Sequence, residues 1–288
     1  MRWPRAAGLT SSALALLLTV ACARPGGTPT PLATGSYAVY AVRFATLPQF
    51  RVRGLIAGAD STRRIDVPVM VWALRTPQGR TILFDSGFHR QKFIDQWKVP
   101  DFVAPDSALR RAGIDPSTVT DIVLSHIHWD HADGVDLFPK ARIWLQREEF
   151  EYYVGAGGEP LKPAIDRDVS AILREAMRDG RVQLIEGTNV EVLPGIRVFT
   201  GGKHTFASEW ASVQTPTGIV VLASDNAYLY ENFERHVPIA QTLDADSNLR
   251  AQAAMFELAG SLDRIVPGHD PSVLTRFPSA GIGAVRVR

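Results

Sequence analysis

Apolar residues recur along this chain with two different periods, and the two alternate from residue 36 onwards. Residues 36–45 alternate and are rich in β-forming residues, which predicts a strand. Residues 67–87 predict two strands joined by a tight turn at 76–79. Further strand patterns occur at 120–125, 141–146, 182–187, 190–200, 211–225 and 263–269.

Segments in which apolar residues recur with the period of a helix lie between several of these strands. The predicted helices cover residues 104–114, 147–154, 166–179 and 247–262, and Asp106 or Ser107 is the expected N-cap of the first. No repeat and no low-complexity segment follows residue 36. Strands that alternate with helices predict one α/β domain of layered sheets, which we place at residues 37–288.

The N-terminus has a different character. Arg2 and Arg5 precede an apolar stretch at 13–20 that is too short to span a bilayer, and small residues follow it. This layout predicts a secretory signal peptide over residues 1–22. The structural alternative is a buried N-terminal helix, which the flanking charges disfavour.

Residues 18–22 also resemble a bacterial lipobox, which would make Cys22 a lipidated N-terminus. Residues 23–36 are rich in Pro and Gly and predict a flexible linker. We therefore expect an exported protein that is periplasmic or lipid-anchored to the bacterial envelope. A lipid on Cys22 would be its one contact with a membrane.

Composition argues against several classes of partner. The 288 residues are 45% apolar and 21% charged, as is typical of a soluble globular protein. A net charge of +1 without a run of basic residues disfavours binding to nucleic acid or to an anionic membrane surface. Cys22 is the only cysteine, so the folded part can form no disulfide, and any metal site must be built from His, Asp and Glu.

Three of the seven histidines lie within the segment SHIHWDHADG, directly after a predicted strand. Side chains at i and i+2 of an extended segment point the same way, so the first two histidines can reach one ion together. A turn after Trp129 would direct the next two residues toward a second position. Imidazole and carboxylate are the ligands expected for zinc and its first-row neighbours. The candidate ligands in this segment are His126, His128, Asp130 and His131.

Four residues cannot complete two metal sites, so remote donors are needed. Each of three candidates follows a predicted strand end: His204, Asp225 and His269. Loops at one end of a sheet are where functional groups usually gather.

The HxHxDH cluster, followed by a lone His, a lone Asp and a terminal Gly-His, resembles the metallo-β-lactamase superfamily. The resemblance implies an αββα sandwich, with two mixed β-sheets flanked by helices. Within the superfamily, residues 224–238 resemble the N-acyl homoserine lactonase branch, which carries a Tyr three residues after the bridging Asp. Tyr228 occupies that place. Residues 83–89 match the family's strand-end Asp-Thr-Gly element, with Ser86 in place of Thr.

One segment departs from the family pattern, which is usually Pro-Gly-His-Thr-Pro-Gly-His around the lone His. Here it is GGKHTFASEW, with Lys203 before the candidate ligand and with Phe206 and Ala207 in place of Pro-Gly. Ser208 replaces the second His. The loop around the ligand must therefore be stabilised by different contacts.

The resemblance implies two divalent metal ions, with zinc expected and manganese, iron or cobalt as alternatives. Together they would lower the pKa of a shared water from about 15.7 toward about 7, giving a nucleophile at neutral pH. The implied ligands are His126, His128 and His204 for one ion and Asp130, His131 and His269 for the other, with Asp225 bridging both.

The same resemblance implies roles for three side chains. Tyr228 would donate a hydrogen bond to the substrate oxygen as it becomes negative. Asp130 would pass a proton to the departing alkoxide, and Asp85 would orient a ligand or a loop without binding the metal itself. The structural alternatives are that Asp225 caps the next segment and that Tyr228 is a core aromatic.

Two further sets of residues need an interpretation. Phe88, Phe93 and Trp97 are candidates for the lining of an acyl-chain pocket, although aromatic residues at such spacing are more often core. His89 and His236 lack an evident metal-binding partner, and we expect both at the surface or behind the ligands.

The leading hypothesis is an exported metal-dependent hydrolase that opens lactone rings, with N-acyl homoserine lactones as substrates and quorum quenching as the outcome. A dizinc β-lactamase is the first alternative, but the similar enzymes of that kind lack an acidic ligand where Asp225 stands. A thioester or phosphodiester hydrolase is the next, and a non-catalytic metal-binding lipoprotein is the last. The expected partner is a small lactone, and the sequence does not predict an oligomeric state.

Overall fold

The computed structural model describes residues 35–154, 160–162 and 164–288. The predicted signal peptide at 1–22 and residues 23–34 of the predicted linker lie outside the described residues, so the proposed domain boundary stays a prediction. No helix in the described ranges is long and apolar enough to cross a membrane.

The first sheet has seven strands. In spatial order, the first four strands pair antiparallel and the last four pair parallel, with β3 (Thr81–Phe84) common to both sets. The turn at 76–79 joins β2 (Arg64–Arg75) to β3, which confirms the predicted hairpin. In spatial order the strands are β12 (Ala284–Arg286), β1 (Ala38–Arg51), β2 (Arg64–Arg75), β3 (Thr81–Phe84), β4 (Val119–Val123), β5 (Arg142–Gln146) and β6 (Val182–Ile185).

The second sheet has five strands, of which one pair is parallel and the rest are antiparallel. Their spatial order is β11 (Ile265–Pro267), β10 (Gly218–Ser224), β9 (Glu209–Thr215), β8 (Ile196–Thr200) and β7 (Val190–Leu193). Both sheets are therefore mixed, as predicted.

Helices cover the outer faces of both sheets. The four helices predicted from periodicity are found at residues 105–111, 147–153, 167–178 and 245–259, whereas the remaining short helices carry no periodic signal. The helices are α1 (Gln91–Trp97), α2 (Pro105–Arg111), α3 (Trp129–Ala132), α4 (Arg147–Tyr153), α5 (Arg167–Arg178), α6 (Tyr230–Arg235), α7 (Ala245–Ala259) and α8 (Val273–Arg276).

The order of the layers follows from the two-residue period of the strands. Trp72 of β2 and Leu222 of β10 lie in the core between the sheets. Val71, the neighbour of Trp72, lies in the core between the first sheet and its helices. Val221 packs with Met255 of α7 on the outer side of the second sheet. The strands are apolar at successive positions because both of their faces are buried, and the result is the expected αββα sandwich.

The predicted cap of α2 is wrong. The helix begins at Pro105, its N-cap is Ala104, and no side chain caps it. Asp106 lies in the first turn and pairs with Arg110 at 2.6 Å. Proline sets the start because its fixed φ suits the first helical position and its missing N–H would be unpaired there in any case.

Gly134 lets two segments that carry site residues approach closely. Its N–H donates to the carbonyl of Gly87 at 2.8 Å, and a Cβ at this position would overlap the carbonyl oxygen of Ser86. Ser86 in turn donates its N–H and its hydroxyl to the carbonyl of His131, each at 2.8 Å. The turn after β3 is thereby attached to α3.

We expect Gly134→Ala to destabilise the protein by about 1–3 kcal/mol, because the new methyl group must displace backbone rather than a movable side chain. Urea denaturation measures the change. Gly54→Ala is the control, since its Cβ would meet only the ring of Phe50 at 3.2 Å. Equal denaturation midpoints for the two variants would contradict this explanation.

Candidate metal centre

Five strands end at the edge of the two sheets where the candidate site lies. Asp85 follows β3, His126 follows β4, His204 follows β8, Asp225 follows β10 and His269 follows β11. Strands β3 and β4 are parallel, as are β10 and β11. Strand β8 runs in the direction of β10 because both are antiparallel to β9. The carboxyl ends of all five therefore meet at one edge, where open α/β sheets usually bind ligands.

The structure brings all seven candidate ligands together in two groups. Within each group the possible ligand atoms lie within 4.8 Å of one another. Helix α3 begins directly after His128, so Asp130 and His131 lie on this helix whereas His126 and His128 precede it. The groups are His126, His128, His204 and Asp225, and Asp130, His131 and His269.

The carboxylate of Asp225 lies between the two groups. Its Oδ2 is 3.3 Å from Nε2 of His204 and 3.9 Å from Nε2 of His126. Its Oδ1 is 3.2 Å from Nε2 of His131 and 3.0 Å from Nε2 of His269. Each oxygen thus faces a different group, as a bridging ligand requires.

Hydrogen bonds on the outer nitrogens orient four of the imidazoles, so that their Nε2 atoms point inward. His128 is turned the other way, with its Nδ1 2.9 Å from Nε2 of His204 and 3.0 Å from Nε2 of His126. The outer partners are Ser125 Oγ for His126 (2.9 Å), Asp85 Oδ2 for His131 (2.8 Å), the Gln241 carbonyl for His204 (3.0 Å) and the Pro68 carbonyl for His269 (2.9 Å).

The first group is held in its neutral form. Burial lowers the pKa of His128 and that of His204 to about 4, although the charge of Asp225 opposes it. Burial and the neighbouring imidazoles place the pKa of His126 well below its usual value. These imidazoles carry no charge at neutral pH, so their lone pairs are free to bind a cation.

The second group and the Asp225 oxygen that faces it contain buried polar atoms without a hydrogen-bond partner. Burial lowers the pKa of His131, but the charges of Asp225, Asp130 and Asp85 outweigh it and the net shift is strongly upward. Nε2 of His131 and Oδ1 of Asp225 are buried without a hydrogen bond, although they are 3.2 Å apart. Buried polar atoms are rarely left unsatisfied. A set of imidazole nitrogens and carboxylate oxygens around such atoms fits divalent metal ions.

Asp85 ties the two sheets together behind the metal centre. Its Oδ1 accepts the N–H of Ser125 at 2.8 Å, and its Oδ2 accepts the hydroxyls of Ser125 and Ser224 at 2.9 and 3.1 Å. The same Oδ2 contacts Nδ1 of His131. Asp85 and Ser224 both have positive φ, at 63° and 46°. Such conformations cluster at functional sites, where surrounding contacts hold them.

Tyr228 is both a core residue and a pocket residue. Its ring is 3% exposed and packs in the core, yet it also lines the pocket, and its hydroxyl is 3.2 Å from Nδ1 of His204. Burial, together with the charges of Asp225 and Asp130, raises the pKa of this hydroxyl well above its usual value. Tyr228 therefore keeps its proton and can donate it in a hydrogen bond.

The divergent loop around His204 uses hydrogen bonds in place of the family's Pro-Gly. The N–H of His204 donates to Oγ of Ser208 at 3.1 Å, and that hydroxyl donates to Oδ1 of Asn226 at 2.7 Å. Lys203 adopts a positive φ of 55° and donates from Nζ to the carbonyl of Phe206 at 2.7 Å. The replacements noted in the sequence are thus part of the contacts that shape the loop.

A pocket of about 200 Å³ opens onto both groups. Candidate ligands and Tyr228 form its polar side. Its apolar side consists of Leu47, Phe50, Leu55, Val67, Trp97, Trp129 and Ala164.

The expectation that Phe88 and Phe93 line this pocket is wrong, whereas Trp97 does line it. Phe88 and Phe93 are buried and pack against Trp129, with ring centroids 4.7 and 4.6 Å away. They support the pocket wall from behind. Phe50 was missed because the predicted first strand stops at residue 45, while β1 continues to Arg51.

Neither of the remaining histidines joins the metal centre. His89 pairs with Asp136 at 2.8 Å, and His236 is exposed at the end of α6. Gln241 was also missed, because it contributes a backbone carbonyl and no side-chain pattern marks such a contact.

The fold and the site together define a class of protein, an αββα hydrolase fold with a His/Asp centre at its strand ends. The family model described as "Metallo-beta-lactamase superfamily" matches residues 64–269. The chain belongs to the metallo-β-lactamase superfamily.

Relatives of known activity are N-acyl homoserine lactonases. One from Bacillus sp is 30% identical over 190 residues, which cover 61% of this chain and 70% of the relative. The lactonase AttM from Azorhizobium caulinodans is 28% identical over 245 residues, covering 77% and 88%. They confirm both the resemblance to the lactonase branch and the prediction of a hydrolase.

Solved structures share the fold. An N-acyl homoserine lactone hydrolase with the product N-hexanoyl-L-homoserine at its catalytic metal center has a TM-score of 0.68 and 23% identity, covering 84% of this chain and 96% of that one. The dizinc quorum-quenching lactonase AidC has a TM-score of 0.64 and 14% identity, covering 86% and 92%.

We expect Asp85→Asn to lower the pKa of His131 in the metal-free protein, because one of the charges that raise it is removed. Titration of the imidazole resonances by NMR measures this shift. The affinity for metal should also fall by about 10- to 100-fold as His131 loses its orientation.

The matched control is Asp136→Asn. The hydrogen bond that His89 donates to the carboxylate of Asp136 raises the pKa of His89, so this variant should lower that pKa and leave the pKa of His131 unchanged. An unaltered pKa of His131 in Asp85→Asn would show that Asp85 does not act on this group.

Proposed function

We propose that this protein is an exported, dinuclear metal-dependent lactonase that opens the ring of N-acyl homoserine lactones and so quenches quorum signals. The observation that carries the proposal is the placement of Asp225, whose two oxygens face two groups of ligands beside a pocket with one apolar wall. The activity of the similar lactonases supports the choice of substrate.

Each group would hold one divalent ion, with Asp225 shared between them. Nitrogen and oxygen donors without thiolate suit zinc, and manganese, iron or cobalt are also accepted by such a set. Ions of this kind supply Lewis acidity and lower the pKa of water from about 15.7 toward about 7. The ligands are His126, His128 and His204 for one ion and Asp130, His131 and His269 for the other.

The chain's own side chains stabilise charge and move protons in the reaction. Ring opening adds water across the ester: the water oxygen bonds to the carbonyl carbon, the ring C–O bond breaks and the leaving oxygen gains a proton. Tyr228 donates a hydrogen bond to the carbonyl oxygen as it becomes negative. Asp130, with 13% of its side chain exposed, takes up the proton that the attacking water loses and passes it to the leaving alkoxide.

The shape of the pocket supports a substrate with an apolar tail. Trp97 stacks against Phe50 on one side and Trp129 on the other, with ring centroids 5.9 and 5.8 Å apart. The wall they form starts beside the metal centre, where Asp130 and Tyr228 also line the pocket. A lactone ring bound at the polar side would direct its acyl chain along this wall.

Export is supported by the sequence of the N-terminus. Residues 1–22 carry two arginines and no acid, so their removal would change the net charge from +1 to −1. An exported enzyme would meet acyl homoserine lactones outside the cytoplasm, and lipidation of Cys22 would keep it at the envelope.

The test is a substrate panel with zinc- or cobalt-loaded protein: N-hexanoyl homoserine lactone, nitrocefin and a glutathione thioester. We expect lactone opening with kcat/KM at least about 100-fold above that for the other two substrates. Removal of the metal with a chelator should abolish the activity, and readdition should restore it. Metal-loaded protein that opens no acyl homoserine lactone would refute the proposal, and rapid nitrocefin hydrolysis would favour the β-lactamase alternative.

Trp97→Ala should reduce kcat/KM for N-decanoyl homoserine lactone by about 10-fold or more, and for N-butanoyl homoserine lactone by less than about threefold. The reason is that only the longer acyl chain reaches the indole ring that the substitution removes. Steady-state kinetics on both lactones measures the difference. Phe256→Ala is the control, since Phe256 is an exposed apolar residue of α7 that does not line this pocket. Equal losses for both lactones would exclude Trp97 from the acyl-chain wall.

A further inference from the structure

One polar side chain of the pocket has no part in the proposed reaction. Gln241 lines the pocket, and the other polar residues that line it are Tyr228 and candidate metal ligands. The amide of Gln241 is neutral and can both donate and accept hydrogen bonds. A neutral amide in a pocket therefore serves to orient a substrate rather than to move a proton.

The backbone of Gln241 is fixed beside the metal centre. An imidazole that keeps its Nε2 lone pair for a cation carries its hydrogen on Nδ1. Nδ1 of His204 therefore donates to the carbonyl oxygen of Gln241, which is 3.0 Å away. The hydroxyl of Tyr228 lies 3.2 Å from the same Nδ1. Gln241 and Tyr228 are thus close neighbours, and the proton of Tyr228 remains available for a substrate oxygen.

The side chain of Gln241 reaches the segment that forms part of the apolar side of the pocket. Its Nε2 donates to the carbonyl of Gly54 at 3.0 Å. The next residue, Leu55, belongs to the apolar side, and its carbonyl accepts the N–H of Ala240 at 3.0 Å. Gln241 therefore lies at the boundary between the metal centre and the surface that would hold an acyl chain.

The contact with Gly54 determines which way the amide of Gln241 faces. Because the partner is a carbonyl oxygen, the amide nitrogen must face it, and Oε1 points elsewhere. Among the residues that the structure describes, none donates a hydrogen bond to this Oε1. The residue is also exposed, so the oxygen is open to a ligand that enters from solvent. Such an acceptor favours a ligand that carries an N–H or O–H group.

The order of groups in the pocket matches the order of groups in an N-acyl homoserine lactone. That molecule has a ring ester, then an amide on the ring carbon next to the ester carbonyl, then an alkyl chain. The pocket has the metal centre with Tyr228, then Gln241, then the apolar side that includes Leu55. A ring whose carbonyl oxygen faces Tyr228 therefore places its amide close to Gln241.

We infer that Gln241 is a specificity-determining residue, whose Oε1 accepts the amide N–H of the substrate. The protein should therefore prefer lactones that carry an acylamino group to lactones that carry a plain alkyl chain. The inference rests on the proposed lactonase function. A site that pairs with a substrate N–H disfavours an analogue without it, because the acceptor then loses its partner.

The test compares two lactones with zinc-loaded protein. One is N-hexanoyl homoserine lactone, and the other is α-heptyl-γ-butyrolactone, in which an alkyl chain of equal length replaces the acylamino group. Ring opening is followed with a pH indicator, and kcat/KM is measured for each substrate. Each variant is compared with the wild type on the same substrate, which removes the difference in intrinsic reactivity between the two lactones.

Gln241→Leu lacks both polar atoms of the amide. We expect it to lower kcat/KM for the acylamino lactone by about 5- to 10-fold and for the alkyl lactone by less than about twofold. Gln241→Glu retains acceptor oxygens but cannot donate to Gly54, and it should keep the wild-type preference within about twofold. If Gln241→Leu does not fold, Gln241→Met also lacks Oε1 and should show the same selective loss.

The matched control is Gln183→Leu. Gln183 of β6 also donates from Nε2 to a glycine carbonyl, that of Gly180 at 3.5 Å, but it does not line the pocket. This variant should open both lactones as the wild type does.

Equal losses for both lactones in Gln241→Leu would overturn the inference, since loss of the contact with Gly54 alone predicts that result. Loss of the preference in Gln241→Glu would overturn it as well. Wild-type protein that opens N-hexanoyl homoserine lactone while Gln241→Leu matches it on both substrates would overturn the inference and leave the proposed function intact. Wild-type protein that does not open the acylamino lactone would refute both.

Discussion

The structure of this site depends on one buried carboxylate shared by two sets of imidazoles. Asp225 is 4% exposed, and burial alone would raise the pKa of its carboxyl, yet the adjoining His131 and His269 hold that pKa well below its usual value. An isolated carboxylate at this depth would be strongly destabilising. The imidazoles of His131 and His269 are thus what allows the chain to bury a negative charge where its sheets meet.

The rigidity of Asp225 and the surrounding imidazoles depends on the strand ends that carry them. The hydroxyls of Ser125 and Ser224 lie 2.7 Å apart and both contact Asp85, so the turn after β4 in one sheet is joined to the end of β10 in the other. Metal-binding imidazoles need such outer contacts to fix their orientation. Placing the site on strand ends leaves the loops beyond it free to vary, and the loop around His204 has varied.

Variation in that loop shows how a motif can change while the position of its ligand is kept. Pro-Gly would restrict the backbone directly, whereas here Ser208, Glu149 and Tyr153 restrict it through hydrogen bonds to His204, Ala207 and Phe206. The two solutions depend on different parts of the chain. A local restriction requires only the loop, but the solution found here requires a helix that is more than fifty residues away in the sequence.

The sequence by itself determined the class of fold and the candidate ligands. Apolar positions at a period of two or of 3.6 reflect local backbone geometry, and the spacing of HxHxDH places its four residues within one short segment, so both are visible without tertiary information. It failed at the N-cap of α2, at the length of β1 and at the roles of Phe88 and Phe93. Only the tertiary structure decided that Asp225 faces both groups, that Phe50 reaches the pocket and that Glu149 of α4 contacts the loop around His204. These contacts join segments far apart in the chain, and their distances are set by strand order and register, which no local pattern specifies.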